Sequence, residues 1–533
     1  MQSGKPRKSV VKKINIKRRE FLLKSPLLIL APHVILKAVS KPSSKINDDQ
    51  IPKSVGVDEL LKKVPEPLIP SRPDLIEIYR KCWKIGLRKS ELGTKENGFV
   101  DWYIDAAFDN RIFQWDTCFS VAWAKYSQGA LPNIESLDNF YRKQHSNGAI
   151  SGVIRKNDGT DDQPIDSPWF TRNNLFAWIE YEYFLITGDA SRLPIVLPIL
   201  KKYSNWIKMN RRHSNGHYYW SGWSSGMDNS PRSKADKFYP PYSWVDYDAN
   251  EALAAYYLAK IAEQLGESKI FQEFQGLHAE IKELVNREMW CKEDQFYWDL
   301  EKDGSFMKVK TIASFWPMWG RICEKEHIDG LVKHLNDANS FNRPHRVPTT
   351  SADEEKYAPE GQYWRGSVWA PTNHMVVKGL EANNRHKLAR EIVMNHLNNI
   401  SLIFQDTGTV WENYSPEYVK PGKPWAKPDF VGWSALGPIA QLIEFYIGIK
   451  LDVPHNKINW ELLTTESVGL RNLKFGDSYI ELIAAERISL EDEIQISVKT
   501  SKEFFLSLNN GKKQFEKNIP PGKHEFKFVG RII

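Results

Sequence analysis

The sequence predicts a mainly helical protein, an (α/α)6 toroid followed by a small C-terminal β domain. Three observations carry this. Twelve helical segments with apolar periodicity fall between residues 73 and 447. They group into six pairs joined by short turns such as Thr187-Gly188-Asp189, while alternate connections are long, polar and rich in aromatic residues. From about Ile458 the pattern turns to two-residue alternation with β-branched side chains. A chain of 533 residues is long enough to bury a core of that size.

In chain order, the head comes first. Residues 1–24 hold nine Lys or Arg and one acid, a charge of +8 against +7 for the whole chain, so the remainder is close to neutral. That balance argues against a nucleic-acid footprint on the folded part. Lys17-Arg18-Arg19-Glu20-Phe21-Leu22-Leu23-Lys24 resembles a twin-arginine export signal. The apolar run that follows, Leu27 to Leu36, is broken by Pro32 and His33 and is too short to span a bilayer. Ala38-Val39-Ser40 supplies small residues for cleavage. Residues 1–40 are therefore read as a signal peptide directing export, to the periplasm, against the alternative of a basic tail on a cytoplasmic chain. Residues 41–70, rich in Lys, Pro and Ser, are read as a linker with an approach strand.

The toroid is assigned to 71–450. Its helices are placed at 73–90, 115–128, 134–145, 173–187, 190–211, 247–266, 268–289, 311–322, 326–336, 367–382, 384–404 and 432–447. Asp189 marks the start of the fifth, and Asp246 or Asp248 that of the sixth. Residues 455–533 form a β-sandwich-like appendage, with turns at Asn509-Asn510-Gly511 and Pro520-Pro521-Gly522.

Composition narrows the chemistry. Aromatics make up 12% of the chain, with 20 Trp, several in polar loops (Trp220, Trp364, Trp411 and Trp425). Sugar rings present apolar faces that stack on such side chains, so the pattern suits a carbohydrate cleft, while core packing accounts for many of the rest. The four Cys are scattered, without metal or redox spacing. No phosphate loop, dinucleotide fingerprint or zinc motif stands out, so neither a cofactor nor a metal is expected. The acidic stretch Asn157 to Asp162 lacks the ligand spacing of a calcium loop and reads as a polar turn.

Two aromatic loops hold the carboxylates of interest. In Tyr219–Arg232 (YWSGWSSGMDNSPR), Gly226 and Pro231 forbid a continuous helix, and Asp228 follows three aromatics, Tyr219, Trp220 and Trp223. A carboxyl held against such a wall loses hydration and its pKa rises, as a general acid requires. An Asx-turn explains a lone Asp-Asn-Ser-Pro equally well. Downstream, TVWENYSP places Glu412 between Trp411 and Tyr414. Two further loops are FDNRIFQWDTCF, with Trp115 and Asp116 at a helix start, and GQYWRGSVWAPTN, with Trp364 and Arg365. Taken singly, Asp116 reads as an N-cap and Arg365 as a structural ion-pair partner.

Together, FQWDTCF, SGMDNSPR, YWRGSVWAPTN and VWENYSP resemble the motifs of the trehalase and processing α-glucosidase relatives, glycoside hydrolase families 37 and 63, and of the mannosylglycerate hydrolases that share their toroid. Weaker echoes are Gly152-Val153-Ile154-Arg155 and Phe176-Ala177-Trp178. The resemblance covers roughly residues 75–447. It implies an inverting exo-glycosidase, with Asp228 as general acid and Glu412 as general base. It places Trp115, Asp116, Arg155, Trp223, Trp364, Arg365 and Trp411 around the bound sugar. Ser225 stands where trehalases carry Glu, which argues against trehalose, and Arg172-Asn173-Asn174 stands where many relatives have Gln-Pro-Pro. The substrate expected is an α-glycoside or oligosaccharide, first an α-glucoside. A mannosyl or galactosyl substrate, a non-catalytic carbohydrate-binding protein and a lyase on the same toroid are the alternatives. No nucleic-acid partner is expected, and no membrane span in the mature chain.

Overall fold

The structure is a computed structural model that describes residues 56–106, 109–219, 223–232, 243–528 and 531–532. The export signal and the first part of the linker lie outside the described residues. The helices are α1 (Val57–Lys63), α2 (Pro73–Lys89), α3 (Gln114–Ala124), α4 (Asp138–Tyr141), α5 (Phe176–Thr187), α6 (Leu193–Asn210), α7 (Val245–Gln264), α8 (Ser268–Glu288), α9 (Trp316–Trp319), α10 (Lys325–Asn336), α11 (Ala370–Ala382), α12 (His386–Thr407) and α13 (Gly437–Ile447).

Two kinds of helix alternate along the chain. In α8 only Phe274, Leu277, Ile281, Leu284 and Val285 are buried, one stripe at three- and four-residue spacing. Such a helix covers a core from outside. In α3 every residue from Gln114 to Ala124 is buried, and in α13 every residue from Gly437 to Ile447. Helices buried all round have neighbours on every side. The contacts close them into a ring: α3 meets α5, α5 meets α7, α7 meets α9, α9 meets α11, and α11 meets the turn Ser434–Leu436 that leads into α13 and touches α3 again. With α2, α4, α6, α8, α10 and α12 outside, this is the expected (α/α)6 toroid.

All twelve expected helices have counterparts, and two are shorter than the sequence suggests. The third is a 3-10 turn, Ile134–Leu137, running into α4; the eighth is a 3-10 turn, Ile312–Phe315, running into α9. In the second case Pro317 lacks the N–H that a longer helix would use. The α5–α6 turn is closed by Gly188 at φ +74°, which a Cβ would strain. Asp189 accepts the Ser191 N–H at 2.9 Å in a turn ahead of α6.

The C-terminal strands form two five-stranded sheets. One has the order 66–68, 468–475, 478–484, 494–500 and 522–528; the other 449–452, 457–461, 504–509, 513–519 and 531–532. They start earlier than 455, because Ile449–Asp452 follows directly on α13 and pairs antiparallel with Lys457–Glu461. They also take in part of the stretch read as linker: Glu66 pairs with Arg471 and Leu68 with Gly469. The strands alternate buried and outward residues, as in Ser478–Ala484.

At the ends of the inner helices remote from their N-termini lies a buried ionic cluster. Lys378 contacts Glu381 at 2.8 Å, Glu444 at 3.6 Å and Glu182 at 4.0 Å, and Lys125 contacts Glu444 at 3.0 Å and Glu182 at 3.2 Å. These two ammoniums, with that of Lys450 on Glu381, hold three carboxylates from α5, α11 and α13. Lys378→Met removes one cation and leaves those charges buried and undercompensated, so a loss of about 3–5 kcal/mol of stability is expected. Denaturant unfolding of the variant checks this, and a change below about 1 kcal/mol would mean the cluster is neutral to the fold.

Candidate active site

The long loops run between outer-helix ends and inner-helix starts, so they gather where α3, α7, α11 and α13 begin. The loop carrying Asp228 is fixed at both ends. Upstream, the Asn173 side chain donates to the Ser225 carbonyl at 3.0 Å, and Gly226, at φ +81°, lies so flat against Trp115 that a Cβ would sit 3.3 Å from the ring. Downstream, Arg232 is buried, donating to Asp246 at 2.7 and 3.0 Å and to Asp299 at 3.2 Å, with its guanidinium 4.3 Å from the Trp244 ring centre. Asp299 also accepts the Val245 N–H at 2.8 Å.

These contacts correct one expectation. Asp246 and Asp248 lie inside the first turn of α7 rather than capping it: Asp246 anchors Arg232, and Asp248 holds His217 at 2.7 Å and the Tyr218 N–H at 2.8 Å. Trp115, from a separate segment, lies under the acid loop at Gly226. Tyr219 instead donates to the Asn210 carbonyl at 3.1 Å and packs on His213. Trp220 and the Trp223 side chain lie outside the described residues, and Trp223 opens a short 3-10 turn, Trp223–Ser225.

Glu412 is buried, 1% exposed. Its backbone carbonyl accepts from the Trp433 indole at 3.0 Å, and the Ser434 hydroxyl donates to the Trp411 carbonyl at 2.7 Å, tying the loop to the start of the last inner helix. Its carboxylate accepts the Lys427 backbone N–H at 3.2 Å and the Tyr363 hydroxyl at 3.4 Å. Val368 and Tyr414 exchange two backbone hydrogen bonds, of 2.8 and 3.0 Å, so the Tyr363 loop and the Glu412 loop form one piece.

Burial sets the electrostatics. It pushes the Glu412 carboxyl up to about 7; the Lys427 charge and N–H and the Tyr363 hydroxyl oppose the rise, and Asp228 adds to it. Asp228 reaches solvent but sits in a shell of protein dense enough to push its carboxyl up to about 6, against the pull of Arg172. Asp116 is buried and held well above the usual carboxylate range, by burial first; Arg172 opposes this, and Asp105 and Asp228 add to it. Both carboxyls of interest thus ionise near neutrality. Their order is the reverse of that expected from sequence, because Glu412, not Asp228, is the more deeply enclosed.

Trp115 and Trp364 are buried, in a cluster where Trp364 stacks on Trp369 at 3.8 Å and Trp115 meets Trp364 and Trp433 edge-on. Trp411 is half-buried, its indole donating to Thr407 at 3.1 Å. Arg365 is exposed, and the cations that act on the two carboxyls are Lys427 and Arg172 instead. Arg155 is exposed and pairs with Asp162 at 3.5 Å. In the acidic turn, Asp158 accepts from Thr160 at 2.7 Å, Asp161 meets His145 at 2.7 Å and Asp162 meets Arg111 at 3.4 Å, so each carboxylate has a protein partner. Glu417, the other acid near the base loop, binds Arg343 at 2.6 Å. The sequence reading missed Tyr363, Asn173 and Lys427. Tyr363 was in view beside Trp364, but nothing in the spacing joined Lys427 to Glu412.

Residues 109–430 match the family model described as the mannosylglycerate hydrolase MGH1-like glycoside hydrolase domain. The chain belongs to that family. It is a glycoside hydrolase of the family 63 type, and the model covers every loop described above. An uncharacterized protein of Borreliella burgdorferi is 28% identical over 472 residues, 84% of this chain and 95% of that one. The mannosyl-oligosaccharide glucosidase of Saccharomyces cerevisiae is 23% identical over 317 residues, 50% of this chain and 36% of the yeast protein. Among solved structures, the family 63 mannosylglycerate hydrolase of Thermus thermophilus in complex with glucose superposes with a TM-score of 0.55 at 19% identity, over 68% of this chain and 99% of that one. Among the described residues, no helix is long and apolar enough to cross a membrane.

The two ionisation ranges give a pH signature. Below about 6 the Asp228–Glu412 pair takes up a second proton, and above about 7 it loses the first. Chemistry that needs one acid and one base is then confined to a bell of kcat/KM between limbs near those values. The limbs belong to the pair, not to either residue. A rate flat from pH 4 to 9 would exclude the pair from the rate-determining chemistry.

Proposed function

We propose that the protein is an exported, inverting exo-glycosidase that hydrolyses an α-glycosidic bond, first an α-glucoside, of an oligosaccharide. The observation that carries this is that Asp228 and Glu412 lie on separate loops of one mouth, each with its ionisation raised towards neutrality, and that the Asp228 charge acts on Glu412. An inverting hydrolase needs two such carboxyls, roughly 6.5–9.5 Å apart, with a water between the base and the anomeric carbon. Asp228, which reaches solvent, gives its proton to the glycosidic oxygen. Glu412 takes a proton from the water that attacks the opposite face, and the released sugar carries the inverted anomeric configuration. The productive state has the proton on Asp228 and the charge on Glu412.

Around the sugar, Asp116, held protonated by burial, donates to a hydroxyl, and Trp115 and Trp364 form the apolar floor. Trp411, Arg155 and Arg365 complete the proposed lining, and Trp223 is assigned to it from the sequence motif alone. The relatives, a mannosyl-oligosaccharide glucosidase and mannosylglycerate hydrolases, support an α-glucoside first and an α-mannoside second.

Release of a monosaccharide from a panel of α-linked glucosides, mannosides and galactosides, followed by proton NMR, tests the reading. The first-formed product is expected to be the β-anomer, and Glu412→Gln or Asp228→Asn to lower the rate by roughly 10²–10⁴-fold. Sugar binding without turnover across the panel would favour the non-catalytic alternative. Export rests on residues 17–40: a reporter fused to residues 1–40 is expected to reach the periplasm, and to stay in the cytoplasm when Arg18 and Arg19 are both Lys.

A further inference from the structure

Asn229 follows Asp228 directly, yet its side chain is spent on a different loop. Its amide donates to the Gln362 carbonyl at 3.0 Å, and its side-chain oxygen accepts the Trp364 N–H at 2.8 Å. The residue bracketed by these two bonds is Tyr363. Gln362 and Tyr363 both lie in the left-handed region, at φ +41° and +69°. Two consecutive non-glycine residues there are strained and persist only where the surroundings hold them. What that backbone achieves is on the page: it carries the Tyr363 hydroxyl to the Glu412 carboxylate. The Gln362 N–H is held by the Lys423 carbonyl at 2.9 Å and the Tyr363 carbonyl by the Ser367 N–H at 3.2 Å and the Trp369 indole at 3.3 Å, so what the acid loop supplies is the hold on the Gln362 carbonyl and the Trp364 N–H.

We infer that Asn229 is a positioning residue that couples the two halves of the catalytic site, fixing the strained Gln362-Tyr363 turn from the acid loop so that Tyr363 binds and orients the base. The inference rests on the reading of Asp228 as acid and Glu412 as base. Asn229 itself touches neither carboxylate of the pair. It acts through Tyr363, and a displacement of the Asp228 loop is passed to Glu412 through one side chain.

The aromatic surroundings make the turn a rigid lever. Tyr363 packs edge-on against Trp369 at 4.8 Å and against the exposed Trp425 at 6.2 Å, while Trp364 stacks on Trp369. If the turn relaxed to right-handed dihedrals, the phenol would swing away from Glu412. Glu412 would then lose one of the donors that favour its ionised form, and the groups left facing it would be Lys427, which also favours ionisation, and Asp228, which opposes it.

The test is a set of four variants: Asn229→Ala, Tyr363→Phe, the double variant, and Asn229→Ala with Gln362→Gly. Asn229→Ala is expected to lower kcat on the order of 10²-fold, the cost of a small misplacement of a reacting group. It should leave KM within a few-fold and move the alkaline limb of the pH profile upward, because Glu412 is the carboxyl with the higher ionisation and it loses a donor. Tyr363→Phe should move that limb in the same direction, and the double variant no further than either alone. Glycine at 362 adopts left-handed dihedrals without strain, so it should restore part of the lost rate. A pH profile unmoved by Asn229→Ala, additive shifts in the double variant, or no rescue by Gln362→Gly would each overturn the inference. Amide exchange at Trp364 gives a readout that needs no substrate: it should quicken in Asn229→Ala, and protection equal to wild type would overturn the inference on its own. Should wild type release no sugar from any α-glycoside, the acid–base reading fails while this exchange measurement still decides whether Asn229 holds the turn.

Discussion

Everything at the mouth of the toroid follows from burying one carboxylate, Glu412, with no cation in direct contact with it among the hydrogen bonds and ion pairs of the described residues. Desolvation of an acid by protein costs free energy unless donors replace the lost water. Two supply part of it, a backbone N–H and a phenol. The N–H comes from the Glu412 loop returning on itself at Lys427, and the phenol from a turn held in an unfavourable conformation. Each donor therefore imposes a demand on the chain around it. The Val368–Tyr414 pairing, the Trp433 and Ser434 contacts and the stacked Trp364–Trp369 pair all meet such demands.

The opposite end of the barrel solves a related problem differently. There, buried Glu444 and half-buried Glu182 and Glu381 have three ammoniums in contact, those of Lys125, Lys378 and Lys450, and the Glu381 and Glu444 carboxyls are held below the usual range. At the mouth, Glu412 and Asp228 are held above it. A single ring of helices thus keeps carboxylates firmly charged at one end and close to their titration midpoint at the other. What differs is the supply of cations in direct contact. This is the contrast expected between a structural ion cluster and groups that exchange protons.

Much of this was legible in the sequence, for identifiable reasons. The outer helices announce themselves because a surface helix must keep one apolar stripe, as α8 does. The inner ones carry a weaker period, since residues buried all round, as in α3 and α13, leave no polar face to mark it. The acid and base loops stood out because glycine, proline and tryptophan cluster there for reasons local to each loop. What escaped was everything set by long-range pairing. Asp246 looks like a cap in its own segment and becomes an anchor only when Arg232 folds onto it. Arg365 looks like the cation of the site, but the chain turns it outward and brings in Arg172 and Lys427 from other loops. The order of the two ionisations depends on depth within the mouth, which no spacing records.

The strand Glu66–Leu68 sets an order in time. It is the edge of a sheet whose neighbouring strand, Val468–Phe475, lies at the far end of the chain, beyond the whole toroid. During synthesis that edge has nothing to pair with until the ribosome has passed residue 475, so a long-range closure of this kind comes late and slowly. The toroid can assemble while its N-terminal lead is still unattached. Closing the sheet then fastens the first described strand to a domain made after the toroid, and the lead is committed only once that domain is present.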